Sequence, residues 1–177
     1  MKSYNMIIAG FGGQGVLFTG KVVAYAGLLD DKEVSWMPSY GPEMRGGTCN
    51  CSVCISDDPI GSPVVTEPDV LVAMNAPSYD KFIGMVKKGG KVIVDSSLVD
   101  RKCERDDIEV YSIPASQLSN DEHLEGIANM ILLGKTIKET GLADMQTIEK
   151  SMGKCVPPKN VHMIEHNIRA IKLGMSL

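Results

Sequence analysis

The sequence has no apolar run long enough to span a bilayer as a helix, no excess of positive charge, and no close set of four cysteines. Each absence removes a class of function. With 18 Lys and Arg against 22 Asp and Glu, the formal charge of −4 speaks against general nucleic-acid binding, which draws on a basic surface. Five cysteines, an odd number, suit a reducing compartment better than a disulfide framework. Met1-Lys2 and the apolar stretch behind it break into glycines within a few residues and carry no A-x-A site, so no secretory signal is read there. The expectation is a soluble, cytoplasmic protein. Also missing are a nucleophile elbow, a His and Ser pair with an orienting acid, and a Walker lysine, since Lys21 lies too far into the next helix. These absences favour a binding scaffold over a self-contained active site.

At 177 residues, with 44% hydrophobic and 23% charged residues, the chain can bury a substantial core as one domain, 1–177. Its organising stretch is Met6 to Val16. An apolar run reads as a buried strand, and Gly10, Gly12 and Gly15 then satisfy G-x-G-x-x-G ahead of a helix over 15–29. Glycines at such a strand–turn–helix junction permit a tight turn. They also bring backbone N–H groups and the positive end of the helix up to a phosphate. The alternative is a turn that serves only packing of helix on sheet. Gly20, Ala24 and Gly27 share one helix face and allow that face to lie very close to a sheet.

The pattern then alternates. Strands are expected near 33–37, 48–55, 70–74, 91–94 and 108–113, with a helix bearing Tyr79, Phe82, Ile83 and Val86 between the third and fourth of these. The chain beyond Pro114 is mostly helical: 124–140 ended by Gly141, 144–152, and a last helix from about 160. If the strands are parallel, Asn75 and Asp95 emerge at the same sheet edge as the glycine loop, where ligands lie in open α/β sheets. A turn or cap role is the simpler reading of Asp95. The fold class is thus α/β, a Rossmann-like layered sheet, mostly parallel, with a helical C-terminal segment. A nicotinamide cofactor would require an acidic residue at the end of the second strand, and the chain has Pro38-Ser39-Tyr40 there. Asp30 lies at a suitable distance from Gly10 but precedes the strand.

Two clusters suggest metal. On a strand, Cys49, Cys51, Val53 and Ile55 share one face and Cys54 takes the other, so the thiols diverge. His162-Met163-Ile164-Glu165-His166 fits H-x-x-E-H, yet the stripe Val161, Ile164, Ile168, Ile171 and Met175 places both histidines on the solvent side. Packing and a solvated face are the preferred readings. Between the second and third strands, Ser39-Tyr40-Gly41-Pro42-Glu43-Met44-Arg45-Gly46-Gly47 surrounds one arginine with glycines and a proline. Arg45 there can grip a carboxylate or phosphate through two parallel hydrogen bonds, or form an ion pair with Glu43 or with another subunit.

Together the two glycine motifs resemble the gamma subunit of 2-oxoacid:ferredoxin oxidoreductases. The similarity continues through Ile55-Ser56-Asp57, Pro68 to Met74, Gly89-Gly90, Val94-Asp95, Asn129, Leu133-Gly134 and Asn167. The resemblance implies a component of a thiamine-diphosphate enzyme that oxidatively decarboxylates a 2-oxoacid, passes the acyl group to coenzyme A and reduces ferredoxin. It implies thiamine diphosphate and Mg on alpha and beta subunits, iron–sulfur clusters on the beta or a ferredoxin-like delta component, and no complete active site on this chain. Carried over by position, Gly10, Gly12, Gly13, Gln14 and Gly15, with Arg45, Gly46 and Gly47, are the expected coenzyme A-facing residues. G-P-E-x-R-G-G resembles the 2-oxoglutarate type, with 2-oxoisovalerate next. The competing readings are a nucleotide or coenzyme A sensor and an NAD-dependent dehydrogenase.

Overall fold

The computed structural model describes residues 3–39 and 48–177. Six strands form one sheet: β1 (Tyr4–Phe11), β2 (Glu33–Ser39), β3 (Thr48–Ser56), β4 (Val70–Ala73), β5 (Lys91–Asp95) and β6 (Glu109–Ile113), in the order β2-β3-β1-β4-β5-β6. β1, β4, β5 and β6 pair in parallel, while β3 runs antiparallel to both β1 and β2. The sheet is therefore mostly parallel, with one reversed strand inserted between β1 and β2. The four apolar residues of β4 are all buried, as expected of a strand covered on both faces.

Alternation along the strands divides the core. Met6, Ile8, Val72 and Ile93 face a layer built from α1 (Val16–Leu29), α4 (Ala128–Thr140), α5 (Met145–Cys155) and α6 (Met163–Ser176). Ile7, Ala9, Leu71, Ala73, Val92 and Val94 face a thinner layer made by α2 (Ala76–Phe82) and by Val65 and Val99 from irregular segments. Cys51, Val53 and Ile55 fall in the first core and Cys54 in the second, as the alternation requires. A short helix, α3 (Ala115–Asp121), leads from β6 towards α4. The residues between 124 and the start of α4 form the connection rather than the helix expected there.

Small residues set the spacing of the thick layer. A Cβ at Gly20 would lie 2.4 Å from Cys51 Sγ, and one at Gly27 would lie 2.8 Å from Val34 Cγ2, so α1 does ride close on the sheet through the face its glycines leave bare. α4 and α6 approach more closely still. A Cβ at Gly134 would fall 2.0 Å from the Ile171 carbonyl oxygen, and one at Gly174 would fall 1.9 Å from that of Ile131. Of the stripe expected on the last helix, Ile171 is fully buried and Ile164, Ile168 and Met175 are half-buried, so the expected face holds apart from Val161. Asn167, Ala170, Ile171 and Gly174 are the buried residues of α6, whereas Val161 precedes the helix and is 56% exposed. The small residues, not the bulky apolar ones, lie against the backbone of α4. His162 and His166 are exposed, as the solvated-face reading requires.

Because backbone atoms oppose Gly134, Gly134→Ala should force the two helices apart and cost about 3 kcal/mol. Gly153, in α5 with nothing within 4 Å of its would-be Cβ, offers the contrast. Gly153→Ala should raise stability by about 0.5–1 kcal/mol through helix propensity alone. Denaturant unfolding of both variants would check the pair of signs.

Candidate functional site at the carboxyl edge of the sheet

The glycine loop sits at the carboxyl end of β1 and opens α1. Gly13 and Gly15 have φ of 96° and 75°, a left-handed backbone that favours glycine. Gln14 braces the turn from inside. Its Oε1 accepts from Phe11 N–H at 2.7 Å and from Asn75 Nδ2 at 3.1 Å, and its Nε2 donates to the Met74 carbonyl at 3.1 Å. The end of β1 is thereby tied to the end of β4. Gly10 makes room for this brace, since a Cβ there would meet Gln14 Oε1 at 2.7 Å. Asn75 completes the link by capping α2, accepting from Ser78 N–H at 2.9 Å.

Asn129, at the start of α4, closes the other side. Its Nδ2 donates to the Gly15 carbonyl at 3.3 Å and to Thr19 Oγ1 at 3.0 Å, and a Cβ at Gly15 would collide with that nitrogen at 2.3 Å. Asp95 emerges at this edge too, but as a capping group. Its carboxylate accepts from Ser97 N–H, from Ser116 N–H and from the Ser116 hydroxyl, which fastens the start of α3 to the end of β5.

Two cavities flank Asn129. The first, of about 300 Å³, is lined by Gly13, Gln14, Asp95, Ser116, Ser119 and Asn120 among others. The second, of about 360 Å³, runs behind the loop, where Gly13, Gly15 and Asn129 meet Phe18, Val156 and Met163. Gly13, Gly126 and Asn129 line both. Of the expected loop residues, Gly13, Gln14 and Gly15 thus reach the cavities, while Gly10 and Gly12 shape the turn. No Lys or Arg is among the described residues lining either cavity. Arg45, Gly46 and Gly47 lie outside the described residues. The strand ends flanking them, Ser39 and Thr48, are at this edge, with Thr48 paired to Phe11. The serines on α3 and Gly126 went unnoticed in the sequence. Asn129 had one intrinsic signal, a carboxamide at the head of an otherwise apolar helix.

The dinucleotide reading fails on topology as well as on composition. β3 separates β2 from β1, so the end of β2 is not adjacent to the glycine loop. Asp30 caps the far end of α1, where it accepts from the Thr147 hydroxyl at 2.9 Å. The cysteines do not fit an iron–sulfur cluster either. Burial pushes the Cys51 thiol up to about 12, and that thiol donates to the Val16 carbonyl at 3.7 Å, while Cys54 lies on the opposite face. Among the described residues, no three His, Cys, Asp or Glu side chains are gathered to hold a metal ion.

Two outcomes follow. Gln14→Ala strands the Phe11 N–H and the Met74 carbonyl and should cost about 2 kcal/mol, read by thermal unfolding. At pH 8 a thiol reagent should label Cys49 and Cys103 well before Cys51, which should react only on unfolding. The Cys51 thiol is protonated in both states below pH 9. From 9 to about 12 only the unfolded chain releases that proton, so stability should fall as pH rises through that window.

Comparison with known proteins agrees with the fold. Residues 5–177 match the family model for pyruvate ferredoxin/flavodoxin oxidoreductase. The chain is 39% identical over 153 residues to 2-oxoglutarate synthase subunit KorC of Methanocaldococcus jannaschii, covering 85% of this chain and 82% of that one. It is 44% identical over 133 residues to ketoisovalerate oxidoreductase subunit VorA of Methanothermobacter marburgensis, covering 75% of this chain but only 28% of that longer one. Among solved structures, the gamma subunit of a keto/oxoacid ferredoxin oxidoreductase from Geobacter sulfurreducens superposes with a TM-score of 0.83 at 29% identity, covering 98% of this chain and 96% of that chain. By family model, relatives and fold together, the chain belongs to the pyruvate ferredoxin/flavodoxin oxidoreductase family, as a gamma-type member.

Proposed function

We propose that this chain works as the gamma subunit of a 2-oxoacid:ferredoxin oxidoreductase and lends its carboxyl-edge cleft to coenzyme A. The observation that supports this reading most is the glycine loop, which opens onto both cavities in a chain whose family oxidises 2-oxoacids. After the resemblance carried by the two glycine loops, thiamine diphosphate, Mg and the iron–sulfur clusters are assigned to alpha, beta and, where present, delta subunits, with ferredoxin as the electron acceptor. The working compartment is the cytoplasm; among the described residues, no helix is long and apolar enough to cross a membrane.

In this reading Gly13, Gln14 and Gly15 line the coenzyme A cleft, Gly10 and Gly12 shape its floor, and Arg45, between Gly41-Pro42-Glu43 and Gly46-Gly47, grips phosphate. The segment carrying Arg45 leaves the sheet at Ser39 and re-enters at Thr48, beside Phe11 of the glycine loop. The 2-oxoacid assigned is 2-oxoglutarate, after the relatives named 2-oxoglutarate synthase, with 2-oxoisovalerate second.

Arg45→Met, in enzyme assembled from this chain and its alpha and beta partners, tests the assignment by steady-state kinetics. The KM for coenzyme A should rise about tenfold or more, the loss of a charge-assisted pair. The KM for the 2-oxoacid should stay put. An unmoved coenzyme A requirement would remove Arg45 from the site.

A further inference from the structure

We infer that the cavity behind the glycine loop takes an uncharged, amide-bearing chain, the pantetheine half of coenzyme A, rather than the phosphate half. This rests on the coenzyme A reading above and divides that ligand between two places. The cavity walls are mainly apolar: Phe18, Ile127, Val156, Pro157 and Met163. No charged side chain is among its described lining residues. A phosphate placed there would lose its water without gaining a cation, a heavy cost in a partly closed apolar space.

Beside the backbone of Gly13 and Gly15, the polar side chains that the cavity offers are carboxamides, those of Asn129, Asn160 and Asn167. Asn167, on the buried face of α6, is only 4% exposed, lines the cavity, and has no hydrogen bond to any described residue. Its amide atoms are not shut away from solvent but open into the cavity, so a molecule seated there would find a carboxamide with no partner in the chain to give up. Asn129 spends its Nδ2 on Gly15 and Thr19, and its Oδ1 makes no hydrogen bond to a described residue. An acceptor of fixed orientation on one wall and a whole carboxamide on another suit secondary amides spaced along a methylene chain. Apolar walls suit the methylenes between them. Free phosphate, a nucleotide or an acidic peptide would bring charge to a lining that cannot compensate it.

The full-length chain, labelled with ¹⁵N, provides the test, because side-chain amide signals report weak binding residue by residue. Titration with pantetheine should shift the Asn167 and Asn129 amide signals saturably. Adenosine 3′,5′-bisphosphate, which carries the phosphates without the pantetheine, should leave them in place. Asn167→Leu, of similar volume, should weaken pantetheine binding about tenfold, the loss of roughly one well-made buried hydrogen bond. Met163→Trp, which fills the cavity from the half-buried side of α6 and leaves both carboxamides intact, should abolish it. Shifts caused by the bisphosphate instead, silence towards both probes, or binding indifferent to Asn167→Leu and Met163→Trp would each overturn the inference. The Arg45→Met kinetics read separately. A raised coenzyme A KM with a silent Asn167 defeats only this inference, while a responsive Asn167 with an unmoved KM defeats only the Arg45 assignment.

Discussion

Two carboxamides hold the working edge of this molecule together. Gln14 ties the end of β1 to the end of β4, and Asn129 ties the glycine turn to α4. Neither is large, but both use backbone carbonyls or N–H groups that a tight turn would otherwise leave without partners, and such groups are costly to bury unpaired. The cleft exists because the loop is held open between these two anchors. A glycine turn lacking them could close down on the sheet and serve only packing.

The helical layer follows from the same economy of space. Gly20 and Gly27 let α1 rest against Cys51, Val34 and Ile55, and Gly134 and Gly174 let α4 and α6 touch backbone to backbone. That contact fixes the roll of α6, and the roll turns Asn167 inward and the two histidines outward. A motif that reads as zinc-binding from its spacing is thereby left in solvent, while an asparagine without obvious chemistry faces a cavity. Helix periodicity put the histidines in solvent but passed over Asn167 and Gly174, because it ranks faces by hydrophobic bulk, and close helix contacts select for small size instead.

Charge is sparse around the two cavities. Both cavities lack cationic side chains among their described lining residues, and the one carboxylate among those residues, Asp95, accepts from Ser97 and Ser116. The second cavity has no charged side chain among its described lining residues, and its edge is shaped largely by the backbone of the glycine loop. This agrees with membership of a family of multi-component oxidoreductases, and with cysteines that are spread between two cores rather than gathered.

Much of the architecture was legible in the sequence. Strand alternation assigned Cys49, Cys51 and Cys54 to their faces, the small-residue face of α1 announced a close approach, and the G-x-G-x-x-G pattern announced the turn between β1 and α1, because each of these depends only on residues near one another in the chain. The two loop motifs, read together, also carried the family. Three features depended on contacts between distant segments: the reversed β3 between β1 and β2, the inward turn of Asn167, and the meeting of Gly13 with Asn129 and Gly126 around two cavities. Local periodicity records which face of an element is apolar but not which neighbour it meets. Here the neighbour, a helix backbone in direct contact, turned Asn167 inward to line a cavity.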